Sequence, residues 1–378
     1  MKAIAVFHSK KEIRIIDQAL PEITKPTEVR VRILEVGICG TDKDICTFQY
    51  GTPPAGSEYL VIGHESLAQV VETGSKVSGL SAGDLVVPMV RRPCRHRSCF
   101  ACRADRQDFC FTGDFTERGI KEAHGYMTEV VVDDEKYFNR VPKELRDVAI
   151  LTEPLTIAEK ALIQIWQVQQ RLPWGPDPKG QRPGYCHKAV VLGAGPVGLL
   201  GAMALLNARF ETYVYSRGPV KSAEASFVGS VGGIYVSSDA ETPENFAKRA
   251  GNIDLVYEAT GAAQISFDMM KVLGTNGVMV FTGIPGIKGP IEVEADQIMR
   301  NMVLKNQVFF GTVNAGRSAF KAAIKDLGVF KKRWPKAVQS LITGRYEMEA
   351  YRDLLLGPKK GIKNILVLQE KPALKKMG

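Results

Sequence analysis

The sequence predicts an α/β chain of two domains, one β-rich with few helices and one built on a doubly wound parallel sheet with crossover helices. Three observations carry that reading. The chain has 378 residues, 45% of them hydrophobic, which exceeds the size at which a single core usually stops growing. Residues 1–150 break into short β-branched runs separated by Gly, Pro and Asp, the texture of strands and turns. From residue 188 the pattern changes to strand, helix, strand, helix, and a glycine-rich turn opens it.

Taken in order, "MKAIAVF" reads as a strand. It carries charge at its second residue and leads into polar sequence, so it is not a signal peptide, and a cytoplasmic location is expected. "EVRVRILEVG" (28–37), "LAQVVETG" (67–74), "DLVVPMV" (84–90) and "TEVVVDD" (128–134) supply further strands. A helix is expected over 154–170, where "PLTIAEKALIQIWQVQQ" starts at a proline and keeps apolar residues at helical spacing. The Pro- and Gly-rich "RLPWGPDPKGQRPGY" (171–185) reads as a linker or surface loop. "KAVVLGAG", "PVGLLGAMALLNA", "ETYVYS", "IDLVYEATG" and "GVMVFTG" then alternate between strand and helix character. Beyond about residue 313 the chain turns helical and basic, with "NILVLQE" as one more strand. The expected division is 1–187 with 314–378 as one domain and 188–313 as the other.

Composition narrows the function. The net charge is +9, from 50 Lys plus Arg against 41 Asp plus Glu, but the basic residues are spread along the chain. The densest groups, "RRPCRHR" (91–97) and "KKRWPK" (331–336), are short and read as solvated surface, so no nucleic-acid partner is expected. The uncharged run 189–208 has the length of a membrane span. Its glycines, its proline and its shift from β-branched residues to Leu, Ala and Met suit a strand, a tight turn and a helix instead, so no membrane partner is expected. Seven cysteines is an odd number, which argues against a disulfide framework and suits a cytosolic protein with metal.

Two groups of residues carry chemistry. In "VVLGAGPVG", Gly193, Gly195 and Gly198 take the G-x-G-x-x-G spacing between a strand and a helix. The first permits a tight turn, the second lets backbone approach a pyrophosphate, and the third lets helix and strand pack. Pro196 fits the first helical turn. At the end of the next strand, "ETYVYSRGP" offers Ser216 and Arg217 with no carboxylate following. A hydroxyl and a guanidinium suit a ribose phosphate, which favours NADP with NAD accepted; alternatively Arg217 is a plain surface arginine whose neighbour Gly218 ends the strand. The second group is Cys39 of "GICGTD", His64 of "GHE" and Glu153 of "TEPL". A thiolate, an imidazole and a carboxylate leave zinc one open position, where it acts as a Lewis acid on a substrate oxygen. Spacing alone does not join them.

"GICGTD", "GHE", a cysteine cluster at 94–110, "EPL" and "VLGAGPVG", in this order, resemble the zinc-dependent medium-chain alcohol dehydrogenases over nearly the whole chain. More narrowly, "GICGTDKDI", "RRPC", "DFCFTGDFTERGI", "HGYMTEVVVDDEKYF", "EPLTIAEKA" and "GTVNAG" are similar to the NADP-accepting glucose 1-dehydrogenases of archaea. The resemblance implies a GroES-like β-rich catalytic domain beside a Rossmann-type domain. It implies Cys39, His64 and Glu153 as catalytic zinc ligands, with Glu65 a carboxylate that in some relatives also reaches the metal. Thr41 would start a proton relay, and Asp42 would orient the ligand histidine. Asp114 and Asn314 would contact the sugar, and Val197, Thr260 and Asn314 the cofactor. Asp114 is one methylene shorter than the glutamate of the archaeal pattern, and Val90 and Leu304 are apolar where the pattern is polar.

A cage of four thiolates has no vacancy for a substrate, so Cys94, Cys99, Cys102 and Cys110 would form a closed structural zinc site. Four residues separate Cys94 from Cys99, against two in the superfamily pattern, and His96 holds the in-register position. Either Cys94 ligates through a longer loop or His96 replaces it. Nothing resembling a recognition helix follows, which excludes a DNA-binding module. The implied reaction is NADP- and zinc-dependent oxidation of an aldose, glucose first, to its lactone by a dimer or tetramer. A polyol or secondary-alcohol dehydrogenase is the alternative enzyme, and a non-catalytic NADPH-binding protein the alternative of another class.

Overall fold

The computed structural model describes residues 1–172, 184–286, 289–358 and 360–368. The segment 171–185, read as a linker, falls largely outside them. The chain forms two compact units: Met1–Glu153 with Asn314–Lys331 and Val338–Gly378, and Pro154–Val313 with Lys332–Ala337. One step between the units falls at 313/314. The other boundary falls at Glu153/Pro154 rather than 187/188, because the helix Thr152–Gln169 bonds to the second unit along its length. Lys160 Nζ donates to Val313 O at 2.8 Å, Gln164 Nε2 to Thr312 Oγ1 at 2.7 Å and Gln169 Nε2 to Asn276 O at 2.9 Å.

The first unit is β-rich, as expected. Its central strand, Glu28–Gly37, buries Val29, Val31 and Ile33 and leaves Arg30 and Arg32 half-buried, the period-2 pattern of a one-sided sheet. The strands Glu65–Thr73, Val130–Asp134 and Lys363–Val367 all pair antiparallel with it. Two register shifts interrupt its pairing with Glu65–Thr73, and such bulges bend a strand. Gly37 comes opposite Glu65 and Ile365 opposite Gly37. That register brings Lys363 beside Glu65 and next to Ile38, 325 positions earlier in the chain. The core of this unit gathers Ile4, Val31, Ile33, Leu60, Ile62, Tyr126 and Leu366, all fully buried.

The second unit has a six-stranded parallel sheet in the order Ile234–Ser237, Glu211–Ser216, Lys188–Leu192, Leu255–Glu258, Val278–Phe281, Val308–Gly311. Numbered along the chain this is 3-2-1-4-5-6, the Rossmann order. Four residues in a row are buried in "AVVL" and in "LVYE", as expected for strands covered on both faces. The run 189–208 resolves into the strand Lys188–Leu192, a turn and the helix Pro196–Asn207. Among the described residues no helix is long and apolar enough to cross a membrane.

Candidate active site

Cys39 stands at the N-cap of the helix Gly40–Cys46, and its backbone N–H donates to Asp42 Oδ2 at 2.9 Å. His64 follows Gly63, whose φ of +91° and distance of 2.6 Å from a built Cβ to Met127 Cγ leave no room for a side chain. Glu65 opens the strand Glu65–Thr73. One ligand atom each from Cys39, His64 and Glu65 lies within 4.8 Å of the others. Sulfur, imidazole nitrogen and carboxylate oxygen are the donors a zinc ion with an open position takes, so the residues present fit that metal. Thr41 Oγ1 lies 3.8 Å from Cys39 Sγ. Asp42, fully buried, places Oδ1 3.3 Å from His64 Nδ1, which leaves the other ring nitrogen for a ligand role. Burial opposes a charge on His64, but the Asp42 carboxylate and Cys39 hold the imidazole well above the usual histidine range.

Glu153 is buried beside this group but is not one of the three converging donors. Burial pushes its carboxyl up to about 7, with the charge of Glu65 adding and those of His64 and Lys363 opposing. The sequence expectation names Cys39, His64 and Glu153 as ligands with Glu65 as an additional carboxylate; Glu65 converges with Cys39 and His64, and Glu153 lies within electrostatic reach of His64 and Glu65. Lys363 was missed altogether. Its ammonium pairs with Glu65 Oε2 and donates to Ile38 O at 3.0 Å, and both charged side chains are 2% exposed. No local signal marks it, since only the strand register brings it here.

A second polar group adjoins in the same unit. Asn314 Nδ2 donates to Glu117 Oε1 at 2.9 Å, and Arg91 Nη2 meets the same oxygen at 3.0 Å. Arg91 lies over the Phe115 ring at 3.7 Å. The phenol of Tyr50 is pushed up by burial and by the Glu117 charge, with His64 and Arg91 opposing, so Tyr50 is within electrostatic reach of both groups. Asp114, the acid expected to bind sugar, has a side chain 63% exposed and pairs with His96 at 2.5 Å. Glu117, three residues on in the same "TGDFTE" stretch, is the buried acid that Asn314 meets. The reading of 91–97 as solvated surface also fails at its start: Arg91 is buried, and Arg92 is 12% exposed on Asp133. Val90 is buried in the core of this unit, and Leu304 is exposed at the end of the helix Ala295–Leu304.

Cys94, Cys99, Cys102 and Cys110 bring their sulfurs within 4.8 Å of one another. The short helix Phe100–Arg103 carries Cys102, with Cys99 as its N-cap, and Cys110 follows a 3₁₀ turn. Thr112 hydrogen bonds hold the Cys110 thiol down at about 6 against burial. Four thiol groups fit a closed tetrahedral zinc site. His96 is turned out toward Asp114, so Cys94 completes the set through the longer loop.

In the second unit, Gly193 has φ +101°, and a Cβ there would come 2.5 Å from Thr260 Cγ2. A Cβ on Gly198 would come 2.1 Å from Gly193 O, whereas one on Gly195 would meet nothing within 4 Å. Packing therefore demands the first and third glycines, while the second faces open space at the N-cap of Pro196–Asn207. An unfilled approach to helix N–H groups is what a pyrophosphate needs, so this turn fits a dinucleotide. Pro196 and Val197 form the first helical turn, both half-buried. Ser216 Oγ accepts from Ala194 N at 3.3 Å, and Arg217 is exposed. Thr260 donates through N and Oγ1 to Glu258 Oε1 at 2.6 and 2.7 Å. Gly261 N and Gly283 N add 2.8 and 3.0 Å bonds to the same buried carboxylate, which ties together the loops after two adjacent strands.

Comparison with known proteins covers both units. The alcohol dehydrogenase GroES-like domain family matches residues 25–143, and the family described as glucose dehydrogenase C-terminus matches 146–368. Glucose 1-dehydrogenase of Methanocella arvoryzae is 37% identical over 365 residues, 96% of this chain and 98% of that protein. Glucose 1-dehydrogenase 1 of Caldivirga maquilingensis is 38% identical over 97% of this chain and 98% of its own length. The crystal structure of Haloferax mediterranei glucose dehydrogenase in complex with NADP, Zn and gluconolactone superposes with a TM-score of 0.86. It is 30% identical and covers 98% of this chain and all of that one.

Proposed function

We infer the reaction from the premise that this chain belongs to the glucose dehydrogenase family of zinc-dependent medium-chain alcohol dehydrogenases: it oxidises an aldose, D-glucose first, at C1 to the lactone, with NADP as acceptor. The observation that carries this is the convergence of Cys39, His64 and Glu65 within 4.8 Å in a chain that matches glucose dehydrogenases over nearly its full length.

Zinc held by Cys39, His64 and Glu65, with Glu153 as a nearby carboxylate, would polarise the hydroxyl oxygen at C1 as a Lewis acid. Asp42 fixes the His64 ring through Nδ1 and so presents its other nitrogen. Lys363 restrains Glu65 and balances its charge at a buried position. Thr41 Oγ1 takes the hydroxyl proton and passes its own outward. Glu117, held on one oxygen by Asn314 and Arg91, offers its second oxygen to a sugar hydroxyl, an arrangement that rejects analogues lacking that hydroxyl. NADP bound at the Gly193–Gly198 turn would supply the acceptor for the C1 hydrogen and its electron pair, and oxidation at C1 with the ring oxygen retained gives the lactone. Cys94, Cys99, Cys102 and Cys110 hold a structural zinc and take no part.

The Ser216–Arg217 strand end supports the NADP preference, and Arg217→Ala should weaken NADP far more than NAD. Among the described residues the edge strand Val308–Gly311, which carries Phe309 and Phe310, pairs on one side only. It supports a homo-oligomer, which light scattering after gel filtration tests. A panel of aldoses, polyols and secondary alcohols, followed by NADPH appearance, tests the substrate class. Faster oxidation of polyols than of aldoses would replace this reading with the polyol one.

A further inference from the structure

The segment after the second strand of a Rossmann sheet meets the adenosine ribose, commonly through a carboxylate at that strand's end. In this chain that strand, Glu211–Ser216, is followed by Arg217 and Gly218. The neighbouring strand supplies the acid instead. Glu211–Ser216 pairs in parallel with Ile234–Ser237, Ser216 opposite Ser237, so the residues just beyond the two strands come side by side. Ser238 N donates to Ser216 O at 2.9 Å, and Gly218 N, at φ +100°, donates to Asp239 Oδ2 at 2.8 Å. Tyr235, also on the neighbouring strand, donates its hydroxyl to Arg217 O at 2.8 Å. The turn that carries the guanidinium is thus pinned from the adjacent strand, and an exposed carboxylate sits on its backbone N–H.

That bond changes what the turn can offer. A 2′-phosphate is bound by positive charge and by donors such as turn N–H groups. Arg217 supplies the first, but the Gly218 N–H already serves a carboxylate whose charge repels a phosphate. A ribose with hydroxyls at both positions meets no such repulsion, and carboxylate oxygens are the acceptors those hydroxyls use. We propose that Asp239 is a specificity-determining residue: its Oδ1 accepts a ribose hydroxyl of NAD, and its charge opposes the 2′-phosphate that Arg217 attracts. The two side chains therefore pull cofactor choice in opposite directions. The inference rests on the dinucleotide reading of the glycine turn.

The test measures dissociation constants of NADPH and NADH on the zinc-loaded full-length protein by fluorescence titration. Asp239→Asn keeps an oxygen for Gly218 N–H, removes the charge and turns the ribose-facing acceptor into an N–H₂ donor. The ratio of NADH to NADPH dissociation constants should rise about tenfold, and the corresponding kcat/KM ratio with glucose should follow. A rise under about threefold, or a fall, overturns the proposal, because a residue that only caps the turn would move both cofactors alike. Arg217→Ala is the second arm and should lower the ratio. If it does not, the NADP reading of this strand end fails, while the Asp239→Asn ratio still decides whether the acid takes part. If the unaltered protein binds neither cofactor, the dinucleotide reading fails, and this inference with it.

Discussion

Asp133→Asn isolates the ion-pair network that holds the paired strands carrying Arg91 and Glu117. Asp133 Oδ2 accepts from Arg92 Nη2 at 2.8 Å and from Arg118 Nη2 and Nε at 2.5 and 3.0 Å. The three side chains are 12%, 12% and 19% exposed. Arg92 further donates to Met89 O at 2.9 Å and to the buried Tyr126 hydroxyl at 3.2 Å. Asparagine fits the same space but leaves two mostly buried guanidiniums without a counter-ion and turns an amide N–H₂ toward one of them. Breaking a buried pair in this way costs about 3–5 kcal/mol, and retention of one hydrogen bond puts the expected loss near about 3. Arg92 and Arg118 flank Arg91 and Glu117 in the paired strands Arg91–Arg92 and Thr116–Arg118, so KM for sugar should also rise severalfold. Urea unfolding of the zinc-loaded protein checks the first figure and initial rates the second. A loss below about 1 kcal/mol with unchanged sugar KM would refute the reasoning. The same network sets a pH window. Burial alone would raise the Asp133 carboxyl, but Arg118 and Arg92 hold it well below the usual carboxylate range. Its contribution is therefore complete above about pH 5 and is lost as the pH falls from about 4 toward the folded-state value. The variant should lose less stability over that acid range than the unaltered protein.

Further substitutions separate the remaining assignments. Glu117→Gln should raise sugar KM by at least about tenfold, whereas Asp114→Asn should change it less than about threefold; steady-state kinetics with glucose distinguish them, and the opposite ranking would restore Asp114 as the sugar ligand. Cys94→Ser should lower bound zinc from two per chain to about one and reduce the thermal midpoint, while His96→Ala should leave two, as elemental analysis reads. Lys363→Met removes the cation from a buried carboxylate and should destabilise the metal-depleted protein by about 3–5 kcal/mol. Replacing Glu65 by Gln in that variant should recover most of the loss, because the uncompensated charge is then gone; no recovery would mean that Lys363 acts through packing alone.

Local pattern made much of this legible. Alternation in "EVRVRILEVG" gave a strand with one buried face, and three glycines between a β-branched run and a leucine-rich one gave the nucleotide turn, because period and backbone freedom are written in adjacent residues. The helix Thr152–Gln169 was also legible, but its allegiance was not: bonds from Lys160, Gln164 and Gln169 to residues over 100 positions away assign it to the second unit. The same limit applies at the site. Cys39, His64 and Glu65 were found through motifs, whereas Lys363 depends on a strand register set across most of the chain. The placement of Asp114 and Glu117 was illegible for a different reason. In "TGDFTERGI" two acids lie three residues apart, and only burial tells the one on Asn314 from the one in solvent.

The two cysteine-bearing groups show why similar ligands serve opposite ends in one unit. In the cage at 94–110 every converging donor is a thiol, the sulfurs come from one short segment, and a fourth ligand closes the tetrahedron. Such a site gains folding energy from the metal and offers a substrate no position. In the other group the three converging donors are chemically different and arrive from two separate segments, and each is held from behind: Cys39 by the turn that Asp42 caps, His64 by Asp42 Oδ1, Glu65 by Lys363. Those supports supply from protein the rigidity that a fourth ligand would otherwise give. An open position on a zinc held there would therefore depend on the buried charges behind the ligands as much as on the ligand count. It follows that loosening Asp42 or Lys363 should disturb the chemistry, while loosening Thr112 behind Cys110 should disturb only the fold of the cysteine lobe.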